Sequence, residues 1–158
     1  MIIDTDINNK TVDYILDNLS EKNLEELEVS YGLDCLNLVR HEIMANVHSY
    51  DSANFGRVKT NSMYIVRSDD NTPVAITGLL PLGGDTSALF FLHTEELATL
   101  PHIELLKKSI KYIKQWKKAY QQTIQSCIYK KNTDVMRWVR LLGFEKVDDF
   151  PDFVLFEG

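Results

Sequence analysis

A chain of 158 residues, 44% apolar and 25% charged, has an ordinary globular composition and the length for one domain, 1–158, burying roughly 70% of its unfolded surface. Its net charge of −6 gives no overall field toward nucleic acid or an anionic membrane, so neither is expected as a partner. No stretch nears the ~20 apolar residues that span a bilayer, "MIIDTDINNK" is no signal peptide, and Cys35 and Cys127 form neither a metal-type nor a redox-type pair, so a non-secreted, non-membrane, reduced setting is expected.

The first third reads as helical. "TVDYILDNL" puts Val12, Ile15, Leu16 and Leu19 on one face. Ser20 is placed to cap a second helix, "EKNLEELEVSYG", which Gly32 ends in the left-handed conformation. Asp34 fits the N-cap of a third, carrying Leu36, Val39, Ile43 and Val47. "HSYDSANFGRVKTN" breaks the period and reads as a loop.

The middle changes to short runs rich in apolar residues. "SMYIVRS", "VAITGLLPL" and "TSALFFLHT" are separated by "DDNTP" and "GGD", which is turn chemistry, so an antiparallel meander is expected. Neither "GRVKTN" nor "PLGGD" has a phosphate-loop pattern. Pro101 suits the first turn of a helix, "PHIELLKKSIKYIKQWKKAY", with Ile103, Leu106, Ile110, Ile113 and Trp116 on a wide apolar arc. The last third reads as strand "TIQSCIYKK", helix "TDVMRWVRLLG" with Val135, Val139 and Leu142 inward, then strands "FEKVDDF" and "DFVLFE". The order predicts a mixed α/β layered fold, with a central sheet of about six strands and helices on both faces.

That order and the run "NTDVMRWVRLLGF", Asn132 to Phe144, resemble the GNAT family of acetyl-CoA-dependent N-acetyltransferases. In that family a strand ends in an Asn, a helix follows, and Gly-Phe leads into the closing strands; here these are Asn132, Gly143 and Phe144. The resemblance covers the chain from about Ser62 onward, and it implies acetyl-CoA as cofactor and an amine as acceptor.

Two chemical features of the family are absent. Its glycine-rich Gln/Arg-x-x-Gly-x-Gly/Ala loop offers bare backbone N–H groups to a pyrophosphate. In "LHTEELATLPHIELLKK" that pattern puts Leu97 at the Gln/Arg position, with Ala98, Leu100 and His102 where small residues belong. Pro101 removes a donor, and Glu95, Glu96 and Glu104 add negative charge. The family's general-acid tyrosine, seven residues after the Asn, is replaced by Val139; Tyr112 and Tyr129 lie off that position.

A retained fold marker without the chemistry resembles a narrower group, the small GNAT-like internal virion and assembly proteins of short-tailed bacteriophages. "YKKNTDVMRWVRLLGFE" matches their C-terminal signature, and "ELEVSYGLDCLNLVR" their helical N-terminal third. The resemblance implies a non-catalytic protein acting through protein partners, located in the virion or host cytoplasm, with no cofactor and no metal. Two alternatives stand beside it. One is an acetyltransferase using acetyl-CoA, with Glu95, Glu96, His102 and Tyr129 as catalytic candidates and Leu97, Ala98, Leu100, His102 and Asn132 around the cofactor. The other is a host-directed inhibitor.

Other polar groups have bland readings beside sharp ones. Imidazole as a side-chain type titrates near neutrality, yet none of His41, His48, His93 and His102 sits at triad or metal spacing. Glu95 and Glu96 also suit a helix start. Lys107, Lys111, Lys114 and Lys118 share a narrow arc with Lys108 and Lys117 beside it. A solvated face predicts this pattern, as does contact with nucleic acid, a cofactor phosphate or an acidic partner. Trp116 and Trp138 sit at core spacings.

Overall fold

The computed structural model describes residues 1–50 and 61–158. Most of the expected loop, including nearly all of "GRVKTN", lies outside the described residues. The elements run β1 (Ile2–Asp4), α1 (Asn9–Asp17), α2 (Glu21–Tyr31), α3 (Cys35–Asn46), β2 (Met63–Arg67), β3 (Pro73–Gly83) and β4 (Thr86–His93). A 3-10 turn (Glu95–Thr99) leads to α4 (His102–Tyr120), β5 (Thr123–Tyr129), α5 (Thr133–Leu141), β6 (Glu145–Asp149) and β7 (Phe153–Glu157).

The strands form one sheet in the order β1-β2-β3-β4-β5-β7-β6. Among the described residues seven strands stand where about six were expected, because Ile2–Asp4 joins the edge antiparallel to β2. Three residues are too short to show an alternating pattern; the pairing and the Asp4 carboxylate, which accepts from Arg67 Nε at 3.1 Å, hold them. The meander β2–β3–β4 is antiparallel as expected. Only β4 and β5 pair in parallel among the named strands.

Helices cover both faces, each by an apolar stripe. Val12, Ile15 and Leu16 of α1, Leu27 of α2 and Val39 and Ile43 of α3 pack with Met63, Ile65 and Ile76. On the other face, Ile113, Trp116 and Tyr120 of α4 and Val139 of α5 pack with Leu79, Ile124, Ile128 and Phe156. Trp116 is core, and its Nε1 donates to the Asn61 carbonyl at 2.7 Å.

Local signals set several boundaries. Ser20 Oγ accepts from Asn23 N at 3.3 Å, and Gly32 ends α2 at φ +80°. Asp34 precedes α3, but its carboxylate accepts from Asn37 Nδ2 instead of capping the backbone. Leu19 lies beyond α1 and bridges to Thr94. The apolar arc of α4 is turned from the expected one: Leu105, Ile113, Trp116 and Tyr120 are buried, while Ile103 is 74% exposed. At ~100° per residue, Ile103 lies well over a right angle from the centre of that stripe. At the far edge, every residue of β6 is exposed, and the β6–β7 register shifts between Lys146 and Asp148.

Candidate functional site

β4 and β5 share only a short ladder, Thr86 to Ala88 against Thr123 to Gln125. Beyond it β5 keeps its pairing with β7 and parts from β4. Ser126 Oγ donates to the Leu89 carbonyl at 3.5 Å, at the point where the strands separate. The gap opens into a cavity of about 550 Å³, lined by Leu89 and Phe91 of β4, Cys127 and Ile128 of β5, and Tyr112 and Trp138 of the covering helices. Tyr31, Glu26 and Glu42 line it from α2 and α3. A mostly apolar cleft of this size with a few polar groups has the character of a ligand pocket.

Two side chains of α2 bind the parted strands. Asn23, 2% exposed, accepts from the His93 backbone N–H of β4 at 2.8 Å. Glu26 accepts from Asn132 Nδ2 at 3.4 Å and bonds the Tyr129 backbone at the end of β5. Burial pushes the Glu26 carboxyl up from its ordinary value, against the opposing pull of those two hydrogen bonds. Partial burial and the Glu26 charge also push the Cys127 thiol up, which disfavours the nucleophilic thiolate.

The cofactor candidates do not form a cradle. Thr94, Glu96, Leu97 and Leu100 donate their N–H groups within the turn or to β3, and Pro101 has none to give. The Leu97 and Leu100 side chains pack with Phe91, Leu105 and Trp138, while Ala98 is exposed. Side chains and self-bonded amides thus take up the turn itself, and the first-turn N–H groups of α4, His102 to Glu104, have no side-chain cap. Glu104, in the first turn of α4, adds a carboxylate and pairs with Lys108 at 3.2 Å. With no glycine in the turn and Glu95, Glu96 and Glu104 around it, the segment lacks the cradle that a diphosphate such as that of acetyl-CoA favours.

The catalytic candidates are scattered. Glu95 Oε1 accepts from the Glu21 N–H at 3.0 Å, at the start of α2, a favourable place for an anion. Glu96 and His102 are exposed and are absent from the cavity lining. The Tyr129 hydroxyl donates to Glu25 Oε1 at 2.9 Å. Burial and that carboxylate push the phenol up, and the Tyr129 hydroxyl holds the Glu25 carboxyl down, with Lys131 assisting. Asn132 is buried and precedes α5, with its side chain turned to Glu26. Val139 sits in the core. Among the histidines, His93 has a ring held below its ordinary value by burial, with Nδ1 3.0 Å from the Thr94 carbonyl. Sequence reasoning missed Asn23, Glu26 and Cys127, because nothing local to α2 or β5 announces a gap between strands.

Among the described residues, no group of three or more His, Cys, Asp or Glu is arranged to hold a metal ion. No helix is long and apolar enough to cross a membrane, again among the described residues.

No family model and no curated protein sequence matches the chain. Solved structures do. The chain is similar to PH1933 from Pyrococcus horikoshii OT3, with a TM-score of 0.64 and 16% identity over 99% of this chain and 96% of that one. It is similar to a GNAT-family acetyltransferase from Bacillus anthracis, with a TM-score of 0.64 and 11% identity over 96% and 90%. It is also similar to the Campylobacter jejuni N-acetyltransferase PseH in complex with acetyl coenzyme A, with a TM-score of 0.51 and 12% identity over 99% and 98%. At these identities the likeness is one of fold: the chain has the mixed α/β GNAT fold that its Asn132–Phe144 run implied.

Proposed function

We propose that the chain is a non-catalytic GNAT-fold protein that works by binding other proteins, in bacteriophage virion assembly or as an internal virion component. One observation carries the loss of catalysis: the turn between β4 and α4 has no glycine, bonds the Glu96, Leu97 and Leu100 N–H groups internally, and carries Glu95 and Glu96. Val139 in place of the tyrosine supports it. The virion role rests on the likeness of "YKKNTDVMRWVRLLGFE" to the phage signature. Exposed Val29, Tyr31, Leu33 and Leu38 at the α2–α3 corner offer contact area for a partner.

The test is thermal unfolding with and without millimolar CoA or acetyl-CoA. A ligand a hundredfold above its dissociation constant adds about 2.7 kcal/mol to the native state. The expected result is no shift, and no acetyl transfer to amines by mass. A clear upward shift overturns the reading. For the virion role, the protein should co-purify with particles, and absence from them rejects it.

The cavity between β4 and β5 favours a second reading, acyl transfer to an amine with the donor held in another way. Its support is an open cleft in the GNAT fold, at the point where its strands part.

A further inference from the structure

Charge is divided between the two faces of the sheet. Helices α4 and α5 carry six lysines and two arginines against Glu104 and Asp134, a net of +6. The whole chain is at −6, so everything else sums to −12. Helices α1 to α3, on the opposite face, hold Lys10, Lys22 and Arg40 against seven carboxylates, a net of −4. Glu104 is engaged with Lys108, and Asp134 lies 4.0 Å from Lys22 of α2. Lys107, Lys111, Lys114, Lys117, Lys118 and Arg137 are exposed and form no ion pair among the described residues.

We propose that the face formed by α4 and α5 binds the phosphate backbone of double-stranded nucleic acid without reading its sequence. Lys107, Lys111, Lys114 and Lys118 follow one ridge at spacings of three and four, about 16 Å from end to end. Lysine is a compact charge suited to phosphate. An acidic protein fits this face less well, because protein contacts draw on aromatic anchors and are depleted in lysine. No aromatic of α4 or α5 is exposed: Tyr112 and Trp138 are half-buried, and Trp116 and Tyr120 are buried. The same lack removes the stacking platform that single strands use. The acidic helices pack in the cluster on the other face of the sheet, with α2 reaching only the start of α5; at physiological salt a charge is largely screened past ~8 Å, so the lysine ridge of α4 keeps a positive near field. The β6 acids Glu145, Asp148 and Asp149 are on the edge strand that follows α5, where Asp149 is paired by Lys130 and Lys146.

Fluorescence anisotropy with a labelled duplex of about 20 base pairs tests the proposal on the full chain. Binding is expected at about 50 mM salt, weakening about a hundredfold by 200 mM, the effect of roughly four neutralised phosphates. Lys111→Gln, Lys114→Gln and Lys118→Gln together should lower affinity at least about tenfold and the salt slope by about three. The triple Lys→Arg variant at those positions should restore both, and Lys10→Gln on the opposite face should leave both unchanged. Absence of binding at low salt, or a triple glutamine variant with native circular dichroism that binds as well as the unaltered chain, overturns the proposal. Tighter capture of poly-glutamate than of duplex reassigns the face to an acidic protein, and tighter binding of single strands rejects the duplex.

Discussion

Asn23 and Glu26 stand one helical turn apart on α2 and hold different strands, Asn23 the His93 N–H of β4 and Glu26 the Tyr129 end of β5. The helix thus joins two strands that have stopped pairing with each other. Both bonds sit on a cleft-lining helix, so the shape of the cleft and the stability of the fold are linked through α2.

Asn23→Ala removes the acceptor from a backbone N–H at a buried point. Leaving such a donor unmet costs about 1–3 kcal/mol. A lower urea midpoint with an unchanged slope is expected; an unchanged midpoint would mean that water replaces the amide.

Glu26 has a folded value raised by burial, so the native state holds its proton more tightly than the unfolded chain does. Its contribution is full below the ordinary value of 4.5 and is lost as pH rises through the folded value. Glu26→Gln keeps an oxygen for Asn132 and cannot ionise. The variant should gain stability relative to the native chain at pH 7 and little at pH 4, as read from denaturation midpoints across that range.

Val139→Tyr restores the residue type that the GNAT family carries, at a position packed in the core of α4, α5 and the sheet. The larger ring should overpack the site and cost about 1–3 kcal/mol. No acetyl transfer should appear, because the turn before α4 is unchanged. Activity in this variant would mean that the tyrosine was the only missing part.

Two glycines separate strain from crowding. Gly143 has φ +93° and open space where a Cβ would project, so Gly143→Ala should cost about 1–2 kcal/mol from the backbone alone. A Cβ at Gly78 would lie 2.5 Å from the Ser62 carbonyl oxygen and 2.6 Å from Met63 Cγ. Gly78→Ala should therefore reach or exceed the ~3 kcal/mol upper end of overpacking. Thermal melts of the two variants side by side check the order.

The elements with local signals were legible in the sequence. Ser20 and Gly32 bound α2, Gly143 turns the chain so that Phe144 enters the core, and the turns "DDNTP" and "GGD" separate the meander strands. What escaped depends on distant partners. β1 exists only through β2, and Ile103 fits a helical period that the packed stripe does not follow. Nothing in "EKNLEELEVSYG" singles out Glu26, which meets Asn132, 106 positions away. The net charge of −6 likewise conceals two faces of opposite sign, since a total carries no position.

The rims of the sheet limit how copies or partners can join it. β1 offers three residues, and β6 is charged, fully exposed and irregular against β7. Short, bulged or charged borders are poor templates for a visiting strand. Such borders disfavour strand addition by a copy or partner, so the molecule resists growing into a continuous ribbon even at high local concentration.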